Sequence, residues 1–206
     1  ESGVAGSIAG AGASSQAAAM EVWIAGFSAL APDAMVTYDP SGSAAGRDQF
    51  LAGGVAFAGS DAALDGEELT QAHQRCGGVD NLIQIPAYIS PIAVIYNLDG
   101  VDNLRLSAST IAKIFTGRIT TWNDPAITAE NPGMALPALP ITPVHRSDES
   151  GTTENFTEYL AAAAGPDWPY PPDGDWPIAG GEAAQGTAGV VSVVQAGNGT
   201  IGYADA

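Results

Sequence analysis

A chain of 206 residues with 46% apolar residues can form one ordinary domain or two small ones with a buried core. Its 6 basic and 23 acidic residues leave a formal net charge of −17, which excludes a phosphate-backbone groove for nucleic acid. One cysteine and two histidines exclude a zinc cluster and a disulfide within the chain, and no apolar run approaches the roughly 20 residues of a membrane-spanning helix. We therefore expect neither a metal nor a cofactor.

The first predicted element is a helix that follows a run of small residues. Positions 10–15 are too rich in Gly, Ala and Ser for a core strand, so they are predicted as a loop. Apolar residues at three- and four-residue steps from Met20 to Leu30 predict the helix, which Ser14 or Ser15 would cap. Trp23 and Phe27 lie on its apolar face and are expected in the core.

A second and a third loop with polar residues follow short strands. A strand at 36–38 leads through a turn to Ser43 and a helix that includes Arg47, whose side chain would face either a binding site or solvent. A buried strand at 55–58 ends just before Asp61. Loops with Ser and Asp therefore come directly after two strands.

The remaining elements continue the alternation of strands and helices. Prolines between strands 82–85 and 92–96 suit a crossing between lobes, so we predict a first lobe over 1–88 and a second over 89–206. Other predicted helices begin near positions 65, 107, 152 and 187, and that at 107–115 ends at Gly117. Strands are predicted at 141–145 and 200–203, with an extended connector at 131–143 and a loop at 165–181.

This alternation indicates an α/β fold, in which ligands gather where strands end and helices begin. A helix N-terminus offers unpaired N–H groups and a partial positive charge, so it binds anions without lysine. The hydroxyl groups at the predicted helix starts would add hydrogen-bond donors. Arg146 would add a guanidinium group, which carries a positive charge and several N–H donors. Those hydroxyls belong to Ser14, Ser43, Ser150 and Thr152.

Asp61 is the exception in this donor-rich set. An ionised carboxylate only accepts hydrogen bonds, so a bound anion beside it must itself donate a proton. Hydrogen phosphate has that proton and sulfate does not. If Asp61 reaches the site, it selects phosphate over sulfate.

Several segments together resemble the phosphate-binding protein of phosphate ABC transporters. The resemblance runs in the same order and spacing over nearly the whole chain, at 10–13, 42–43, 59–62, 114–127, 131–133 and 146–153. It implies a type II periplasmic-binding-protein fold of two α/β lobes with a ligand cleft between them. It also implies roles for single residues. Ser14, Ser15 and Ser43 would contact phosphate from the first lobe, with Asp61 as proton acceptor, while Arg146, Ser150, Gly151 and Thr152 would close from the second, with Asp148 holding Arg146.

The implied function is capture of inorganic phosphate and its delivery to an ABC transporter permease, without catalysis. The implied protein is a monomer outside the cytoplasm, either periplasmic or lipid-anchored to the outer face of the cytoplasmic membrane. Members of the family continue beyond the point that corresponds to Ala206, where the chain would return at about 200–206 to complete the first lobe. We therefore expect the sequence to be truncated at its C-terminus, with a disulfide partner for Cys76 in the remainder.

Other functions remain open at this level. Another tetrahedral oxyanion is one alternative; Asp61 disfavours sulfate, but arsenate carries the same proton. A phosphate sensor without a transporter is a second alternative. A phosphotransfer or phosphatase enzyme with Ser150 or Thr152 as nucleophile is a third, and it needs a general base or metal that the sequence does not offer.

Overall fold

The computed structural model describes residues 3–206, which fold into two compact units. The first unit runs to Ser90 and includes Glu149–Gly151; the second comprises Pro91–Asp148 and Thr152–Ala206. Glu1 and Ser2, which the sequence prediction assigns to the first lobe, lie outside the described residues. In the part that is described, no helix has the length and hydrophobicity needed to cross a bilayer.

The first unit is a parallel three-stranded sheet with helices. Its strands are β1 (Gly6–Gly12), β2 (Ala34–Asp39) and β3 (Phe57–Gly59), in the order β2-β1-β3. Its helices are α1 (Ala17–Leu30), α2 (Ser43–Leu51) and α3 (Gly66–Arg75). The expected α/β alternation is confirmed here, with the third strand two residues later than predicted.

The central strand β1 corrects the prediction of a loop at 10–15. Its small residues permit close packing: a Cβ on Gly10 would lie 2.2 Å from the Phe57 ring, and one on Gly46 would lie 2.3 Å from the Gly12 Cα. The backbone of helix α2 therefore packs directly against the backbone at the end of β1, with no side chain between them. The poor strand propensity of glycine is outweighed by this packing.

Helix α1 forms as predicted, but its apolar face is not in the core. Trp23 and Phe27 are 44% and 39% exposed, and no residue of α1 is buried. The N-cap residue of the helix is Gln16, and Ser14 and Ser15 lie before it in a one-turn 3-10 helix, Ser14–Gln16. Apolar periodicity predicts a helix and the face it would bury, and the described residues leave that face partly uncovered.

The strand predicted at 82–85 is absent from the described sheets. Residues 82–90 carry no regular secondary structure, and Ile83 and Ile85 are each 76% exposed. A strand is defined by the neighbour to which it hydrogen-bonds, and none of the described strands pairs with this segment. The short apolar sequence suits a strand, but none of the described strands supplies a pairing partner.

The second unit contains a four-stranded mixed sheet in the order β4-β7-β5-β6, with β4 antiparallel to β7. Its strands are β4 (Ile92–Asn97), β5 (Thr142–Arg146), β6 (Glu182–Ala184) and β7 (Thr200–Asp205). Its helices are α4 (Ala108–Phe115), α5 (Pro125–Glu130), α6 (Gly151–Ala163, whose first residue belongs to the first unit) and α7 (Gly186–Ala196).

Most predictions for this half of the chain are confirmed, including the end of α4 just before Gly117, which has φ +71°. Strand β6 and helix α5 were not predicted. The signal for α5 was present, because the Asp124 carboxylate accepts the Ala126 N–H and Pro125 occupies the first turn. The core includes Phe156 and Tyr203 with stacked rings at 4.3 Å, and Trp122 with no exposed surface.

Candidate functional site

The site in the first unit is built at the carboxyl ends of β1 and β3. The Ala13 N–H donates to the Gly59 carbonyl at 2.8 Å, which brings the segments after the two strands together. Beyond them, the Ser15 hydroxyl donates to the Asp61 carboxylate at 2.5 Å. Two residues predicted as phosphate contacts, 46 positions apart in sequence, are thus neighbours.

Helix α2 brings Ser43 to the same place. Gly42 precedes it with φ +106°, a left-handed conformation that suits glycine, and its N–H donates to the Gly12 carbonyl at 2.9 Å. Ser43 is 1% exposed, and its Oγ accepts the Asp61 N–H at 3.2 Å. Because this oxygen accepts, its proton remains available to an acceptor, as do the first N–H groups of α2, which have no carbonyl within the helix.

Gly151 lies against both of these residues. A Cβ built on it would come within 2.7 Å of the Asp61 Cβ and 2.8 Å of the Ser43 Oγ. Only a residue without a side chain permits this approach, which brings the first residue of α6 to the start of α2. Ser150, which precedes it, is 2% exposed.

Tyr38 supports this region and was not predicted as part of it. Its hydroxyl donates to the Ala13 carbonyl at 2.9 Å. Burial, together with the negative charge of Asp61, raises the pKa of Tyr38 well above its ordinary value, so the hydroxyl stays a donor. Its alternating position in β2 was the only signal in the sequence.

Arg146 lies in the second unit, at the end of β5. It is 3% exposed, and its Nε donates to Asp148 Oδ1 at 2.7 Å while its Nη2 pairs with Oδ2 of the same carboxylate. Asp148 Oδ1 also accepts the Gly186 N–H at 3.1 Å. Burial alone would raise the pKa of Asp148, but the hydrogen bonds from Arg146 and Gly186 and the guanidinium charge outweigh it and lower that pKa.

Tyr203 connects Arg146 to the first turn of α6. Its hydroxyl oxygen accepts the Arg146 N–H at 3.3 Å and lies 2.7 Å from Thr153 Oγ1. Burial raises the pKa of Tyr203 to about 12, so its hydroxyl stays protonated. Thr152, predicted as a phosphate contact, is 2% exposed in the same turn. Tyr203 and Thr153 were not among the predicted site residues.

The predicted site residues therefore fall into two sets. The first unit contains Ser14, Ser15, Ser43, Asp61, Ser150 and Gly151, and the second contains Arg146, Asp148 and Thr152. In the first set the structure brings Ser15, Ser43, Asp61 and Gly151 together; Ser14 lies beside them in the 3-10 turn. In the second set it pairs Arg146 with Asp148.

Apart from the carboxylates of Asp61 and Asp148, which accept hydrogen bonds, both sets consist of groups that can donate them. Hydroxyl groups, N–H groups at helix starts and a guanidinium are the groups that proteins use for oxyanions. Among the described residues there is no group of three or more His, Cys, Asp or Glu side chains that could hold a metal ion.

Known proteins that are similar to this chain include phosphate-binding proteins. A sequence model described as PBP superfamily domain matches residues 1–206. The chain is 41% identical over 192 residues to the Phosphate-binding protein PstS 3 of Mycobacterium leprae, covering 93% of this chain and 52% of that one. It is 39% identical over 204 residues to the Phosphate-binding protein PstS of Xylella fastidiosa, covering 96% of this chain and 53% of that one.

Among solved structures, the chain is similar to a high-affinity periplasmic phosphate-binding protein bound with phosphate. The TM-score is 0.77 at 30% identity, and the match covers 97% of this chain and 56% of that one. The chain spans about half the length of the curated relatives it matches. The resemblance inferred from the sequence motifs is confirmed by these matches, and the chain belongs to the PBP superfamily.

Proposed function

We propose that the chain binds hydrogen phosphate reversibly, as an extracytoplasmic solute-binding protein and not as an enzyme. The observation that carries the proposal is the position of Asp61: its carboxylate accepts from Ser15, and its N–H is bound by Ser43 at the start of α2. The Asp61 carboxylate, a hydrogen-bond acceptor, thus lies next to the N–H donors at the N-terminus of α2.

The donors suit a phosphate ion in number and kind. In the proposal Ser14, Ser15 and Ser43 contribute hydroxyls, and the starts of α2 and α6 contribute N–H groups, the latter at Ser150, Gly151 and Thr152. Arg146 contributes its guanidinium, whose orientation is held by Asp148. Each donor satisfies one lone pair of a phosphate oxygen, and the charge-assisted bond from Arg146 is the strongest of them.

Asp61 gives the site its selectivity. Hydrogen phosphate donates its proton to the carboxylate, whereas fully deprotonated sulfate meets a second negative charge and an acceptor without a donor. The repulsion disfavours sulfate even where every other donor is satisfied. The negative charge of Asp61 is therefore compatible with an anion site only if the anion is protonated.

The relatives support this substrate. The two curated relatives are named phosphate-binding proteins, and the solved structure at 30% identity holds phosphate. These names also support binding in preference to catalysis. The division of the chain at Ser90 and Pro91 supports the proposed lobes, residues 1–88 and 89–206.

A biological role follows from the same proposal. The protein would act outside the cytoplasm, free in the periplasm or held by a lipid anchor, and would deliver phosphate as a monomer to an ABC transporter permease. The relative described as periplasmic supports the compartment. Partner capture with the membrane permease of the same phosphate system would test the delivery step.

Isothermal titration calorimetry with the 206-residue chain tests the binding proposal. Phosphate should bind with a measurable heat, and sulfate at the same concentration should bind at least about a hundredfold more weakly, since one unsatisfied buried polar group costs about 1–3 kcal/mol. No heat with phosphate, or equal affinity for the two anions, would refute the proposal.

A further inference from the structure

Arg47 is a buried cation beside the Asp61 turn, so its side chain does not face solvent. It lies one turn into α2 and is 8% exposed. Its Nε lies 3.0 Å from Oε2 of Glu68 and 3.2 Å from Oε1. The Glu68 carboxylate in α3 is thus the counter-ion of the guanidinium. A buried cation needs such a partner, so the ion pair holds the Arg47 side chain in this position.

The other side of the guanidinium contacts the residue next to Asp61. Arg47 Nη1 donates to Ser60 Oγ at 3.1 Å. The same hydroxyl accepts the Ala62 N–H at 3.2 Å and donates to the Ala62 carbonyl at 2.6 Å. Ser60 therefore transmits the position of Arg47 to the turn 60–62, in which Asp61 is the central residue.

Helix α2 consequently holds this turn at two points. Ser43 binds the Asp61 N–H, and Arg47, four residues later, binds Ser60. Residues four apart lie on the same face of a helix, so both contacts are directed at one turn. A third charge faces the guanidinium at a longer distance: Nη2 lies 3.7 Å from Oε1 of Glu149, two residues before Gly151.

We propose that Arg47 is a positioning residue for Asp61 and thereby sets the discrimination between protonated and unprotonated tetrahedral anions. Arg47 does not contact the anion in this proposal; it fixes the turn that aims the carboxylate. The proposal rests on the proposed function for its consequence in selectivity, and on the contacts of Arg47 with Ser60 and Glu68 for the positioning itself.

The shape of the guanidinium is essential to this role. Its fork donates to Glu68 from Nε and to Ser60 from Nη1, and an ammonium group at one point cannot reproduce both directions. Arg47→Lys keeps the charge and loses the fork. Any long-range attraction of an anion is therefore preserved in this variant, while the position of the turn is not.

The first part of the test uses the ligand-free chain. Amide hydrogen exchange at Asp61 and Ala62 should be about tenfold faster in Arg47→Lys and in Ser60→Ala, because the turn opens more often. Arg75→Lys is the matched control: Arg75 lies in the same unit, donates to the Val55 carbonyl at 2.7 Å and covers the Phe50 ring. Exchange at the two amides that is no faster than in Arg75→Lys would overturn the proposal.

The second part measures the ratio of phosphate to sulfate affinity by calorimetry. We expect this ratio to fall about fivefold in Arg47→Lys and in Ser60→Ala, the effect of one misaligned hydrogen bond, and to stay unchanged in Arg75→Lys. Faster exchange with an unchanged ratio would overturn the role in specificity. If exchange is faster in the variants but the wild-type chain binds no phosphate, the positioning contact is supported and the proposed function is refuted.

Discussion

The Ser43 hydroxyl accepts a hydrogen bond from the backbone N–H of Asp61, at 3.2 Å. This direction matters because a hydroxyl oxygen that accepts can still donate its own proton. The Asp61 carboxylate in turn receives the proton of Ser15. A hydroxyl, which can both donate and accept, and a carboxylate, which when ionised only accepts, therefore lie side by side in the first unit.

Asp61→Asn should reduce the preference for phosphate over sulfate. The amide removes the negative charge and adds a donor that sulfate can use, so the affinity ratio should fall by about tenfold or more. Asp39→Asn, an exposed change of the same kind at the end of β2, is the control and should leave the ratio intact. Calorimetry with both anions measures the effect, and an unchanged ratio in Asp61→Asn would show that the carboxylate does not face the ligand.

Arg146→Ala should weaken phosphate binding by at least about 2 kcal/mol, roughly thirtyfold, through loss of charge-assisted hydrogen bonds. The measurement is a calorimetric titration, accompanied by a melting curve to confirm that the variant is folded. A folded variant with wild-type affinity would exclude Arg146 from the site.

Gly151→Ala should impair binding with little effect on the rest of the fold. The new methyl group would lie 2.7 Å from the Asp61 Cβ, so the start of α6 must move away from Ser43 and Asp61. We expect phosphate affinity to fall by about tenfold or more, since displaced donors no longer reach the anion together.

The control for that variant is Gly26→Ala in α1, where a Cβ meets nothing within 4 Å. It should bind phosphate normally and gain about 0.5–1 kcal/mol of stability, because alanine replaces glycine inside a helix. Normal binding by Gly151→Ala would contradict the close packing on which the candidate site depends.

Asp148→Asn should destabilise the second unit in a pH-dependent way. The pKa of Asp148 is lowered in the folded chain, so the carboxylate contributes stability above its unfolded pKa of about 4 and loses that contribution as pH falls through the folded value. The difference in unfolding free energy between wild type and variant should be largest near neutral pH and shrink in acid. Urea titrations at several pH values measure this difference, and a constant difference would mean that the ionised carboxylate is not stabilised by Arg146.

The sequence predicted the helix starts well because each one carries a local signal. Ser43 and Gly151 precede or begin runs of helical periodicity, and the polar residues at such starts follow from the unpaired N–H groups there. The Arg146–Asp148 pairing lies within three residues, so the resemblance could suggest it.

Other features depend on distant parts of the chain and had no local signal. The contact between Ser15 and Asp61 requires the register of β1 against β3, in which Gly12 pairs with Gly59. The glycines of β1 gave no strand signal in the sequence. They are explained by the close packing of Phe57 and α2 against this strand. Trp23 on α1 shows the reverse case: the pattern predicts burial, and burial needs a neighbour that a pattern cannot supply.

The most direct test of the candidate site is an amide NMR titration of the 206-residue chain with phosphate, with sulfate as the control. Phosphate should shift the amide signals at the starts of α2 and α6, including Ser43 and Thr152, together with those of Asp61 and Arg146, and sulfate should leave them unchanged. Shifts confined to other parts of the chain, or equal shifts with both anions, would contradict the account.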